Sequence, residues 1–497
     1  MPAKPLVEAV DGASGELISM RVTRLQAAGL AVIGLGASIA PLDFAVNIAF
    51  PAITAAFALE TRAIRWVAVC YVLVYGSLML ASGALGDRIG HLRVFRAGLL
   101  LAAIAFTLCA IAPSYAWLLA ARVLQGVAVA LTLSCAPALA TALFDEARRT
   151  WALAVFGGMG AIAGVIAPVA GGASMAALGW AGVYWFRVPI VVIAFVCVPL
   201  LARGLSARAA LAAGEHPARL ATQSAAFDAK GMTLLALGMA LLLLAPALWS
   251  METWLWQSLP LALGGAALIT FFVMRERAST TPFLPHAVAR DPDFIWPNMA
   301  AVVVQATSFA VPLLLPYYLT RVAGWSPLAS GVLLSCWSIG ALAGAGLAPP
   351  LVRVLGVRRS AFAGGLLVAA GLATIALWPL QPLLALMMLC LLLQGAGLGI
   401  FQVAYTDLVV AALPPAQRGL AGSLTMVTRT VGIVLSVSLL TWILQNGEAA
   451  ALAQGGDARA AFMAGFRAVF VWMTVTASVC FALTSLRRSV WFERMQA

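Results

Sequence analysis

The chain has 497 residues, 63% of them hydrophobic and only 10% charged, with a mean hydropathy of +1.00. Soluble domains carry about 25% charged residues, so this composition excludes a water-soluble globular protein and points to an all-α integral membrane protein. The net charge of +12 would suit a nucleic-acid binder, but the basic residues sit in short segments between apolar runs, a pattern of topology and not of a polynucleotide groove.

The apolar runs predict about fourteen helices of roughly 20 residues each, near 25–52, 66–86, 94–112, 116–144, 152–178, 182–202, 230–250, 256–274, 296–320, 328–350, 361–380, 382–412, 419–445 and 461–486. Residues 1–24 are mixed and polar and read as a cytoplasmic tail, not a cleavable leader. The first six helices occupy 25–202, a polar, Ala-rich cytoplasmic linker 203–229, an extra helix pair 230–274, a cytoplasmic loop 275–295, the last six helices 296–486 and a second tail 487–497. With the N-terminus inside, Arg88, Arg93, Arg148, Arg149, Arg203, Arg208, Arg358 and Arg359 fall in the cytoplasm, while the outer margins receive only Arg62, Arg65, Arg321, Arg459 and Arg467. The positive-inside rule then puts both termini in the cytoplasm.

Taken in chain order, the first helix holds Asp43, the only acidic residue deep in an apolar helix, with Asn47 and Pro51 after it. Burying a carboxylate costs several kcal/mol unless it is protonated or paired, so Asp43 is either the proton carrier or a permanent partner of a neighbouring Arg. Tyr71 and Tyr75, one turn apart on the second helix, offer an aromatic wall to a cation. Between the second and third helices lies a polar loop, Gly83-Ala84-Leu85-Gly86-Asp87-Arg88-Ile89-Gly90-His91-Leu92-Arg93, in which Asp87 can cap a helix or pair with Arg88 or Arg93. The fourth helix carries Arg122 and Gln125 well inside its apolar run, where an Arg keeps its charge and needs carboxylate or carbonyl partners. Gly160, Gly164, Pro168, Gly171 and Gly172 give the fifth helix a small face suited to close packing and a bend. Arg187 is a further intramembrane arginine. In the second half, Gln305, Tyr317, Gln402 and Tyr405 either line a cavity or bridge helices, Asp407 lies near a helix end, and Arg429 is again within a helix.

The chain also repeats itself. Leu124-Gln125-Gly126 recurs as Leu393-Gln394-Gly395, and the stretch 351–359 is a weaker copy of the loop 83–93. Two six-helix halves related in this way are a mark of secondary transporters, with the substrate site between them.

The order G-x-x-x-D-R-x-G-x-x-R over Gly83, Asp87, Arg88, Gly90 and Arg93 resembles the loop signature of the major facilitator superfamily, where it acts as a cytoplasmic latch. Arg122-Val123-Leu124-Gln125-Gly126 resembles that family's R-x-x-Q-G, and Gly160 to Gly172 resembles the antiporter motif of its exporters, with Ala167 in place of one Gly. Asp43, Asn47 and Pro51 resemble the first-helix signature of the fourteen-helix drug:H+ antiporter branch. Here the Asp stands one residue nearer the Asn, which on a regular helix turns it about 100° around the axis. Trp180 to Pro189 resembles a further family stretch, with Arg187 where the family has Asn, and Asp228-Ala229-Lys230-Gly231 resembles the branch's entry to the extra helices.

This resemblance implies a major facilitator fold of two pseudo-symmetric six-helix bundles plus two inserted helices, placed as a multi-pass protein in a bacterial cytoplasmic membrane. It implies proton-coupled antiport exporting amphipathic, cationic drugs, with Asp43, Asn47, Arg122, Gln125, Asp407 and Arg429 in coupling or substrate binding. The expected partners are a small-molecule substrate, protons and the lipid bilayer, with no nucleic acid, a monomeric state and no cofactor, the proton gradient supplying the energy. Three intramembrane arginines against two carboxylates also motivate an exporter of organic anions or metabolites, and a non-transporting receptor is the more distant alternative. An enzyme is not expected, because no Ser/His/Asp set, metal cluster or phosphate loop is visible.

Overall fold

The computed structural model describes residues 23–60, 63–145, 148–215, 229–248, 254–277, 291–380, 383–413 and 420–492, and every regular element among them is helical. The long helices are α1 (Arg24–Ala56), α2 (Arg65–Ile89), α3 (His91–Ala110), α4 (Tyr115–Ala142), α5 (Arg149–Leu178), α6 (Arg187–Glu215), α7 (Ala229–Ala247) and α8 (Leu259–Arg277). They continue with α9 (Pro292–Val322), α10 (Pro327–Leu355), α11 (Val357–Ala376), α12 (Leu384–Ala412), α13 (Leu420–Ala453) and α14 (Ala458–Ser485), and a single turn, α15 (Arg488–Trp491), follows. Among the described residues, 12 stretches are long and apolar enough to cross a membrane. One of these, Trp151–Ala210, holds most of both α5 and α6, and α7 carries a shorter apolar run, Thr233–Ala245.

Local chemistry starts these helices where the chain leaves the apolar phase. Thr23 and Gln26 form a reciprocal capping box on α1, and Ser114, Ser326 and Asp457 each accept a backbone N–H in the first turn of α4, α10 and α14. Pro292 and Pro327 occupy the first helical positions, where a missing N–H costs nothing. Helices α1 to α6 pack on one another, and so do α9 to α14. Helix α7 pairs with α8 and lies against α2 and α13, at the seam between the two bundles.

The segment 83–93 is not the loop that its polarity suggests. Helix α2 runs on through Asp87 and Arg88 to Ile89, and only Gly90, at φ 99°, interrupts it before α3 starts at His91. A glycine takes that φ without a steric penalty. The weaker copy repeats the device: α10 ends at Leu355, Gly356 has φ 84°, and α11 begins at Val357. Asp87 does not cap α3; its carboxylate lies 3.1 Å from Nε2 of His91, across the glycine.

Two further expectations change. The linker expected over 203–229 is helical as far as Glu215, because Ala, Leu and Arg extend a helix that burial has already nucleated. The tail expected over 487–497 is docked at its start: Trp491 is fully buried beside Phe362 and Phe481, and Arg358 donates to the carbonyls of Ser489 and Val490. Most of the tail 1–24, residues 216–228 of the linker with Asp228, and most of the loop 275–295 lie outside the described residues.

The two bundles meet between α2 and α13, where a Cβ on Gly76 would run into Thr430 Cγ2, and they interlock at the end away from Gly90. There α5 runs against α10 so closely that a Cβ on Gly172 would stand 2.5 Å from the Pro327 carbonyl oxygen. Gly331 lies as tightly on the Pro168 carbonyl, and Ser335 Oγ donates to Val165 O over 3.0 Å. Nearby, the hydroxyls of Thr54 and Tyr317 share a hydrogen bond of 2.9 Å between α1 and α9. Towards the Gly90 end, Gly157 and Gly158 of α5 face open space.

Candidate functional site

Helix α1 is broken at the residue that matters. Pro41 has no N–H to donate to the preceding turn, and the chain tightens into a 3-10 turn over Pro41–Asp43 before the α-helix resumes at Phe44. The 100° rotation expected from the spacing of Asp43 and Asn47 therefore does not apply, since it assumed one regular helix. Both residues line the central cavity.

Asp43 is held by three side chains from two other helices, α4 and α6. Arg122 grips both carboxylate oxygens, Nη1 to Oδ1 at 2.7 Å and Nη2 to Oδ2 at 2.8 Å. Arg187 adds Nη1 to Oδ1 at 2.8 Å, and Gln125 Nε2 donates to the same oxygen at 2.9 Å. Each guanidinium is itself anchored: Arg122 Nε donates to Val67 O at 2.7 Å, and Arg187 Nε to Val183 O at 2.8 Å. The side chains of Arg122 and Arg187 are 1% and 0% exposed against 11% for Asp43, so the carboxylate alone reaches the cavity while both cations stand behind it. Two guanidiniums against one carboxylate leave the cluster formally positive.

The stretch 179–187 delivers Arg187. Gly179, at φ 66°, ends α5, a helical turn over Gly182–Trp185 follows, and α6 opens on Arg187 itself. Sequence reasoning counted Arg187 among the intramembrane arginines but left it out of the site. The usable signal was a lone buried acid facing two buried cations in one bundle. Aromatic faces complete the enclosure, with the Arg122 guanidinium 4.5 Å from the Tyr71 ring centroid and that of Arg187 4.6 Å from the Phe106 ring. The face of Tyr71 that was expected to receive a cationic ligand is thus taken by Arg122.

The cavity between the bundles has a volume of about 430 Å³. Asp43, Asn47, Tyr71, Tyr75, Gly160, Gly164, Gln402 and Arg429 of the expected residues line it. The other members of the fifth-helix motif form the seam: a Cβ on Gly171 would stand 2.6 Å from Ala45 Cβ, and Pro168 and Gly172 meet α10. Three expected cavity residues, and Asp407 of the expected coupling residues, stand elsewhere. Gln305 packs under Gly432, Tyr317 closes the interlocked end, and Tyr405 donates to Asn298 Oδ1 at 2.7 Å inside the second bundle. Asp407 is exposed on a separate cavity at the other end, with Asp291, Asp293, Arg358 and Arg359.

The second bundle carries an uncharged copy of the cluster. Ser308 stands eight residues before Pro316 as Asp43 does before Pro51, and Trp337 stands nineteen before Gly356 as Tyr71 does before Gly90. Gln394 Nε2 donates to Ser308 Oγ over 3.0 Å, matching the bond from Gln125 to Asp43, and accepts from the Trp337 indole. Leu391 takes the place of Arg122. The ionisable version of the site therefore belongs to the first bundle.

The same architecture is found in known transporters. The chain is 26% identical to the riboflavin transporter RibZ of Clostridioides difficile, over 83% of this chain and 87% of that protein. It is 28% identical to the tetracenomycin C resistance and export protein of Streptomyces glaucescens, over 83% of this chain and 74% of that one. A crystal structure of a POT family transporter in complex with 5-aminolevulinic acid superposes with a TM-score of 0.67 over 93% of this chain and 96% of that chain at 14% identity, a likeness of fold. The sequence profile of the Major Facilitator Superfamily matches residues 29–286 and 298–490, and the chain belongs to that family of membrane transporters.

Proposed function

We propose that the chain is a proton-driven exporter that carries amphipathic aromatic compounds out of the cytoplasm by alternating access. Fourteen helices cross the cytoplasmic membrane in this reading, with Gly90 and both termini on the inner side, so the open end of the cavity receives substrate from the cell interior. The observation that carries the reading is the placement of Asp43, whose carboxylate touches the cavity while Arg122, Arg187 and Gln125 hold it from behind. In this reading the two guanidiniums keep Asp43 ionised while α1, α4 and α6 are together, and it takes its proton when those helices part, the charge that gathers them then being cancelled. Departure of the proton draws the three helices together again. Substrate in the cavity and a proton on Asp43 thereby compete for one arrangement of the first bundle, which is the requirement for antiport. Export as the direction is supported by the small-residue stretch of α5 and by the exporter among the relatives.

A preference for cations, expected from Tyr71 and Tyr75, loses its footing, since Arg122 occupies the Tyr71 face and Asp43 is already paired. The reading is tested in proteoliposomes with an imposed pH gradient and a panel of cationic, neutral and anionic dyes. Dye accumulation abolished by a protonophore is expected. Transport indifferent to the protonophore removes proton coupling, and movement only with the gradient removes export.

A further inference from the structure

We propose that Arg429 is the docking point for an acidic group, and that the substrates include flat aromatic compounds bearing a single carboxylate. This deepens the export reading and rests on it for the choice of the central cavity as the substrate site.

Asp43 and Arg429 are the charged residues that line this cavity. The two are not equivalent. Asp43 Oδ1 accepts from Arg122, Arg187 and Gln125, and Oδ2 from Arg122, so little of its charge is left to attract a cation. Arg429 stands on α13 across the cavity, and among the described residues its guanidinium meets no carboxylate. Its Nε is buried with no hydrogen-bond partner at all. An arginine cannot shed its proton at this depth, and an unpaired cation inside a membrane protein is costly and marks a ligand path. A carboxylate answers that cost with two parallel charge-assisted hydrogen bonds to the planar fork.

The rest of the wall sets the body of the ligand. Tyr75, Phe309 and Trp337 supply aromatic surface, and Gln402 supplies an amide on the α12 side. A volume of about 430 Å³ holds a drug-sized molecule of a few fused rings. The formally positive Asp43 cluster on the opposite wall favours the same sign of ligand. Planar shape, an apolar body and one negative charge follow from these surroundings together.

The experiment compares three probes built on one ring system: 9-anthracenecarboxylate, its methyl ester, and 9-anthracenemethylammonium. Each is titrated into the purified protein in nanodiscs, with empty nanodiscs as blank, and its fluorescence is followed. The parent protein should bind the carboxylate about tenfold or more tighter than the ester and the ammonium, the gain of a charge-assisted hydrogen bond. Arg429→Gln should bring the carboxylate down to the level of the ester, and Arg429→Lys, which keeps the charge without the fork, should fall between. Detectable ester binding by each variant reports that it is folded. A parent that binds carboxylate and ester alike overturns the proposal even if Arg429→Gln fails to fold, as does a carboxylate preference that survives in Arg429→Gln. Failure of the export reading looks different: no probe or dye moves in pH-gradient proteoliposomes, while the charge series in nanodiscs is unaffected.

Discussion

Replacing Asp43 by Asn keeps the size of the side chain and removes the charge that two guanidiniums share. Arg122 makes two contacts with the carboxylate, at 2.7 and 2.8 Å, and Arg187 one at 2.8 Å. Both arginines are all but fully buried, and among the described residues each has Asp43 as its ion-pair partner. Removing one partner of a buried ion pair typically costs about 3–5 kcal/mol, because the remaining charge is left uncompensated. Here two cations are left, so Asp43→Asn should lose stability at the upper part of that range, a large share of a typical folding free energy of about 5–15 kcal/mol. Lost transport in this variant is then ambiguous, since a destabilised protein and an uncoupled one both fail. Adding Arg187→Gln separates the two, because it returns the formal charge of the cluster from two positive to one. The double variant should recover most of the melting temperature in scanning fluorimetry, and the thermodynamic cycle should show coupling of about 0.5–3 kcal/mol. It should still fail to drive export from a pH gradient, having no group at that place to carry the proton. An Asp43→Asn protein that melts where the parent does refutes the ion cluster. A double variant that pumps at the parent rate refutes Asp43 as the proton carrier.

The closed seam gives a second outcome: Gly331 lies against the Pro168 carbonyl, so Gly331→Leu should wedge α5 from α10. Overpacking of about 1–3 kcal/mol shifts the balance between the two open states about 5–150-fold, and distance measurements between spin labels on the two helices should show a second population; an unchanged distribution means that the seam does not gate. Asp407→Asn should export from a pH gradient at the parent rate, because Asp407 is exposed on a cavity apart from the central one, and loss of coupling in this variant moves the proton site to α12. Single cysteines at Ala207, near the end of α6, and Ala453, the last residue of α13, both stand exposed. An impermeant thiol reagent should label only the second from outside intact cells, and the reverse pattern inverts the proposed orientation.

Membrane class, helical content and most helix positions are readable along the chain because each depends on a local property. Twenty apolar residues in a row satisfy their own backbone hydrogen bonds and match the thickness of a bilayer, whatever the rest of the chain does. Gly90 and Gly356 declare their breaks in the same way, through the absence of a Cβ. Polarity misled at 83–93, where Asp87 and Arg88 remain helical because one glycine suffices for the break. It misled again at 203–215, where helix propensity outlasts the apolar run. What only packing decided is the company that each buried polar group keeps. Asp43 and Arg187 are 144 residues apart and meet because α1, α4 and α6 converge on one point, with Pro41 unwinding α1 to present the carboxylate. The same convergence lays Arg122 over Tyr71, sends Tyr317 to the closed end and Tyr405 into the second bundle, and leaves Arg429 facing the cavity with no acid beside it among the described residues. A charge inside a membrane must find a partner somewhere, but the linear order of residues does not say where: that depends on helix rotation and on approaches of a few ångströms between segments far apart in the chain.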